Sequence, residues 1–249
     1  MPRFFIKEFL PGIVFLFASQ AFNAWSAVID SELIAAAERG NFSLVKNILD
    51  NQQINSQELS AAFLAAVNKG NSAIVEQFLQ AGVDANLRAE DGLSALMRAS
   101  RDGREQVVEI LLRAGADVNA VSKGDGTALI LAAEKDRRKV ITLLLDAHAD
   151  VNAKRDDGMT ALMLAAREGH QQTIENLVNA KAEVNYQLEN GATALMLAAQ
   201  HGNLRAVYSL IAANANLDLK ASNGMTALML ASHYRYREIV ELLRKSGAN

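Results

Sequence analysis

Asp157-Gly158-Met159-Thr160-Ala161-Leu162-Met163-Leu164-Ala165-Ala166 decides the fold of this chain, because the segment that begins at Thr160 returns at a fixed interval. Its counterparts begin at Ser94, Thr127, Thr193 and Thr226, so that successive starts are 33 residues apart. A constant period of that size marks a stack of like supersecondary units, each burying its apolar side against the next. Length therefore does not count domains here, since one continuous core grows with the number of units.

Outward from Thr160, each unit reads as helix, tight turn, helix and extended finger. Ala99, Ala132, Ala165 and Ala198 allow the first helices to approach closely, while the neighbouring Leu and Met positions fill the space between layers. Gly40, Gly70, Gly103, Gly169 and Gly202 stop the first helix at a left-handed residue, with Asp136 and Arg235 in the same place in two units. Val107-Val108 with Leu111-Leu112, and Val140-Ile141 with Leu144-Leu145, have the spacing of one buried face on a second helix. Asp91-Gly92, Asp157-Gly158, Asn190-Gly191 and Asn223-Gly224 are turn tips, and Gly124-Asp125-Gly126 sits one residue out of register with them. Seven units follow, starting near Ser31, Ala61, Ser94, Thr127, Thr160, Thr193 and Thr226. The second start comes only 30 residues after the first, so the first connection is shortened.

Residues 1–30 are different. Arg3 and Lys7 precede the apolar run Phe9 to Ala18, which Pro11-Gly12 interrupts and which is too short to cross about 30 Å of hydrocarbon as a helix. Small residues in Ser19-Gln20-Ala21 suit a cleavage site, so residues 1–21 are expected to be a signal peptide, 22–30 a lead-in and 31–249 the repeat domain. No stable membrane span is expected after cleavage. Elsewhere the composition narrows the function classes. A formal charge of −3 lacks the basic excess of a phosphate-binding surface, so nucleic acid is not an expected partner. The absence of cysteine removes thiol chemistry and Cys-ligated zinc. Half of the residues are hydrophobic and only two are proline, so the chain has the means to bury a large core.

The motifs together resemble the ankyrin repeat family, whose unit carries Thr-Pro-Leu-His, Leu-Ala-Ala, a glycine turn and a Gly-Ala-Asp-Val-Asn ending. The resemblance rests on Thr127-Ala128-Leu129, Thr160-Ala161-Leu162, Thr193-Ala194-Leu195 and Thr226-Ala227-Leu228, with Gly115-Ala116-Asp117-Val118-Asn119, Ala149-Asp150-Val151-Asn152 and Ala182-Glu183-Val184-Asn185. It covers about residues 31 to 249. Alanine replaces the family's proline, and Met97, Met163, Met196 and Met229 stand where the family has histidine. An all-α solenoid of helix-turn-helix repeats joined by β-hairpin-like fingers is implied. The resemblance also implies a non-enzymatic scaffold that holds another protein on its concave surface. The leader is like that of exported bacterial members, which implies a periplasmic address in a Gram-negative source and secretion otherwise. A monomer without cofactor or metal is expected.

In such a scaffold the contact residues are the finger tips and the ends of the first helices. Before each turn glycine stand Asn68-Lys69, Arg101-Asp102, Glu134-Lys135, Arg167-Glu168, Gln200-His201 and His233-Tyr234. Arg101, Glu134 and Arg167 alternate in sign, as do Asp102, Lys135 and Glu168, so neighbouring units can pair them at about 0–1 kcal/mol each. That ladder ends at Gln200. Partner contact is accordingly expected at Arg167, Glu168, Asn190, Gln200, His201, Asn223, His233 and Tyr234, concentrated toward the C-terminal half. His201 and His233 also permit an alternative, a metal-dependent accessory protein or enzyme, although no carboxylate in the pattern completes that pair. A secreted effector acting on a host protein is the third option. His148 and His170 read as structural. Arg98 breaks the column Leu131, Leu164, Leu197 and Leu230, so either its stem packs while its head escapes or a local carboxylate receives it. Arg244 replaces Leu112, Leu145, Val178 and Ile211 and reads as a polar cap on the last unit. N-terminal sequencing of protein recovered from the cell envelope should find a start near Phe22; an intact Met1 in a cytosolic fraction would contradict export.

Overall fold

The computed structural model describes residues 32–248. The signal segment, the lead-in and the first unit's start near Ser31 lie outside the described residues. Fourteen helices occur in seven pairs among the described residues: α1 (32–39) with α2 (Phe42–Asn51), α3 (Ser56–Lys69) with α4 (Ser72–Gln80), and α5 (Ala95–Asp102) with α6 (Glu105–Arg113). Next come α7 (Ala128–Glu134) with α8 (Arg138–Asp146), and α9 (Ala161–Glu168) with α10 (Gln171–Asn179). The last two pairs are α11 (Ala194–Gln200) with α12 (Leu204–Ala212), and α13 (Ala227–His233) with α14 (Arg237–Lys245). The odd-numbered helices from α3 to α13 pack side by side in one layer and the even-numbered ones from α2 to α14 in another. From the second pair onward fingers rather than extended strands run between pairs, three of them closed by single antiparallel bridges, Arg88 with Ser94, Ser122 with Gly126 and Lys154 with Thr160.

Local chemistry repeats with the motif. Ser94, Thr127, Thr160, Thr193 and Thr226 each accept the backbone N–H three residues on, which satisfies one free donor at a helix start. At the other end, the N–H of the residue after each turn returns to the carbonyl of Ala66, Ala99, Ala132, Ala165, Ala198 or Ala231. That closure needs a left-handed residue. Gly103 and Gly169 supply one at φ 73 and 81, and Asp136 and Arg235 adopt it with a side chain, at φ 52 and 62. Asp136 is held there because its carboxylate accepts the Thr173 hydroxyl of the next unit at 2.7 Å. The second helices end in the same way at Gly82, Gly115, His148, Lys181 and Asn214, which explains His148 as a backbone residue with φ 64.

The second unit departs from the motif. Asn55 caps α3 by accepting the Glu58 N–H at 2.8 Å, so the helix begins at Ser56, ahead of the motif position Ala61. Residues that would have made a finger are spent on extra helix, which is the structural form of the shortened connection. Arg98 resolves its two options in favour of a carboxylate, with Nη2 2.7 Å from Asp91. The tips close as turns in which Asp91, Asp157, Asn190 and Asn223 accept the N–H two residues on.

Leu164 is 0 % exposed between α7 and α11. Leu164→Ala should cost about 2–5 kcal/mol in urea unfolding by opening a cavity between layers. Asp156 is exposed but accepts the Gly124 N–H of the preceding finger at 2.8 Å, so Asp156→Ala should cost about 1 kcal/mol. Equal losses would contradict the repeat register.

Candidate functional site

The ends of the first helices form a row, and each is held from behind by the unit that follows it. Asn71 Nδ2 donates to the Ala37 carbonyl at 2.5 Å, Arg104 Nε to Asn68 at 3.2 Å and Arg137 Nε to Arg101 at 3.0 Å. His170 Nε2 lies 3.0 Å from the Glu134 carbonyl, and Asn203 Nδ2 donates to Arg167 at 2.6 Å. These carbonyls are the ones a helix leaves unpaired at its C-terminus, so every contact satisfies one helix end while coupling two units. The turn glycines make room for them: a Cβ on Gly103 would lie 2.8 Å from Arg137 Cδ, and one on Gly169 would lie 2.8 Å from Asn203 Oδ1. His170 is therefore structural. The last member of the column is Tyr236, whose ring lies against Gly202, where a Cβ would stand 2.7 Å from the ring edge.

The alternating charges form one rung between units. Arg167 Nη2 is 3.5 Å from Glu134, whereas its Nε binds its own neighbour Glu168 at 2.8 Å. Arg101 likewise turns to Asp102 at 3.3 Å. A carboxylate one residue away is always within reach and competes with one a whole unit distant, which the column pattern alone does not reveal. Arg167 and Glu168 are thus engaged with each other, and the Arg167 carbonyl is held by Asn203.

At the C-terminal end the commitments thin out. Gln200 is half-buried and His201 exposed; Nδ1 of His201 is 2.9 Å from the Leu197 carbonyl and must carry the proton, leaving Nε2 outward of that contact. The His233 ring meets Tyr234 edge-on with centroids 5.0 Å apart, and Tyr234 stacks on Tyr236 at 6.2 Å. Tyr234 remains 45 % exposed. Asn190 and Asn223 use their side-chain oxygens inside their own finger tips, at 3.0 Å to Ala192 and 3.1 Å to Met225. Of the predicted residues, Gln200, His201, His233 and Tyr234 occupy successive helix ends, while the two asparagines belong to the fingers. Among the described residues no three His, Asp or Glu side chains converge as a metal-binding group. What the arrangement offers chemically is polar and aromatic contact area on a rigid support.

A second column was not read from the sequence as functional. Asn86, Asn119, Asn152 and Asn185 accept the N–H of Asp117, Asp150, Glu183 and Asn216, each one unit on, at 2.7–2.8 Å. Their 33-residue recurrence was the available signal. Fingers are stapled further where Arg88 donates to the Val121 carbonyl at 2.9 Å and Gln187 to that of Lys220 at 3.2 Å.

A family model described as ankyrin repeats in three copies matches residues 33–122, 120–188 and 173–249. No curated protein matches the chain.

If Gln200, His201 and Tyr234 are surface residues without a large share in the stack, alanine at each should leave unfolding free energy within about 0.5 kcal/mol of wild type. Asn203→Ala, which removes two hydrogen bonds between units, should cost about 1–2 kcal/mol in the same urea titration. The reverse order would show that the aromatic end supports the fold and that the Asn203 contacts do not.

Proposed function

The chain belongs to the ankyrin repeat family, and from that premise we propose that it is an exported, non-enzymatic scaffold that holds another protein at Gln200, His201, His233 and Tyr234. Ankyrin repeats are in general protein–protein interaction modules, and the family assignment supports a binding scaffold as such. The observation that carries the site is the change along the row of helix ends. Arg101, Glu134, Arg167 and Glu168 are spent on ion pairs within the stack, whereas His201, His233 and Tyr234 are exposed. Tyrosine and histidine bring large contact area with a polar tip and few rotors to freeze, the combination found at interface anchors. Export rests on the leader read over residues 1–21, which goes with a periplasmic address if the source is Gram-negative and with secretion otherwise.

Capture of partners from an envelope extract on immobilised protein tests the reading. His201→Ala and Tyr234→Ala should each lose the captured partner, and Arg205→Ala on the exposed side of α12 should keep it. A control on α10 such as Glu175 would be poorer, since its carboxylate accepts from Gln171, Gln172 and Ser209. Equal retention by all three folded variants would remove the site.

A further inference from the structure

The seventh unit repeats the sixth and leaves open what the sixth buries. Thr226-Ala227-Leu228-Met229-Leu230-Ala231 is identical to Thr193-Ala194-Leu195-Met196-Leu197-Ala198, and α11 packs those side chains against α13. Met97, Met163 and Met196 are 1–2 % exposed; Met229, in the same column, is 46 % exposed. On α14, Val240 is half-buried where Val108, Ile141, Ile174 and Val207 are fully buried. The face that continues the interface between units therefore keeps its apolar side chains and has nothing over them within the described residues.

That face is also charged against the rest of the chain. The protein carries a formal −3, yet the seventh unit holds Arg235, Arg237, Arg244 and Lys245 against Glu238 and Glu241. Lys245 and Glu241 neutralise each other at 2.7 Å. Arg235, Arg237 and Arg244 have no such partner among the described residues, and they surround Val240 along a groove of about 650 Å³. Arg235 and Arg244 stand where internal units have mostly glycine and an aliphatic residue, so the polar cap expected from Arg244 covers the rim and leaves Met229 and Val240 uncovered. A further regular unit would press apolar side chains on Arg244, and a second copy of this face would bring arginine against arginine.

We propose that the α13–α14 end face is a second docking surface, separate from the row at Gln200 and His201, and that its partner is an acidic amphipathic helix of another protein. An apolar stripe on that helix would cover Met229 and Val240 as α13 covers α11, and carboxylates flanking the stripe would meet Arg235, Arg237 and Arg244. Helical partners suit the face because at each internal junction the first helix meets the next first helix and the second helix the next second helix.

The test uses the full chain and a fluorescein-labelled synthetic helical peptide with leucine at heptad spacing and glutamate on its flanks, followed by anisotropy. The glutamate peptide should bind saturably, more weakly as salt rises, and a lysine counterpart should not bind. Arg237→Glu with Arg244→Glu, and separately Met229→Ser, should each weaken binding by about tenfold or more, with circular dichroism unchanged. His201→Ala should bind the peptide as wild type does, which separates this surface from the proposed partner site. No binding of the glutamate peptide, or binding indifferent to both sets of substitutions, would overturn the proposal. Equally strong, arginine-dependent binding of phosphatidylglycerol vesicles would also overturn it in favour of a lipid surface.

Discussion

Asn119 accepts the backbone N–H of Asp150 at 2.8 Å, and the rest of the structure depends on this kind of contact. A helix pair satisfies only part of its ends within its own unit, because an α-helix leaves several donors and acceptors at each terminus without a partner inside it. In this chain the neighbouring unit supplies further partners. Asparagines at the finger bases hold the next unit's backbone, while Arg104, Arg137, His170 and Asn203 reach back to helix-end carbonyls. Apolar burial stabilises the stack, and its close packing resists slips along a layer without direction toward a single atom. Directional hydrogen bonds fix the spacing, so the period in sequence becomes a period in space.

This division of labour explains what was legible beforehand. Thr160, Ala165 and Gly169 could be read because each serves the same backbone need in unit after unit, and repetition makes a local need visible. The carboxylate for Arg98 could be anticipated as one of two outcomes, since a guanidinium in an apolar column must pair or escape. The early start of α3 at Ser56 was not read, because the unit was placed by its motif position at Ala61 whereas the Asn55 cap lies ahead of it. The charge ladder was read too regularly. Column spacing says which side chains lie near one another, and not that Arg101 and Arg167 have an adjacent carboxylate nearer still. Met229 illustrates the same limit from the other side, since its sequence context is that of a core residue and only its place at the end of the stack exposes it.

The candidate site was legible as a row but not in its detail. Gln200, His201, His233 and Tyr234 follow from counting two residues back from each turn. Asn190 and Asn223 were named from their place at the tips, yet their oxygens close the turns that carry them. The physical picture is of a stack whose middle units spend their polar groups on one another. Toward the C-terminus those obligations lapse, first along the row of helix ends and then across the last face. Exposed side chains without partners in the stack are concentrated where the architecture no longer consumes them.

The central claim, that hydrogen bonds from unit to unit hold the stack in register, is tested most directly at the Asp150 amide. Its hydrogen exchange should be measured by NMR in the wild-type chain and in Asn119→Ala. Asp150 lies in an exposed connection where the Asn119 oxygen is its bonding partner, so the account predicts slow exchange in the wild type and exchange about tenfold or more faster in the variant. Equal protection of that amide in both proteins would contradict the account and leave apolar packing alone as the source of register.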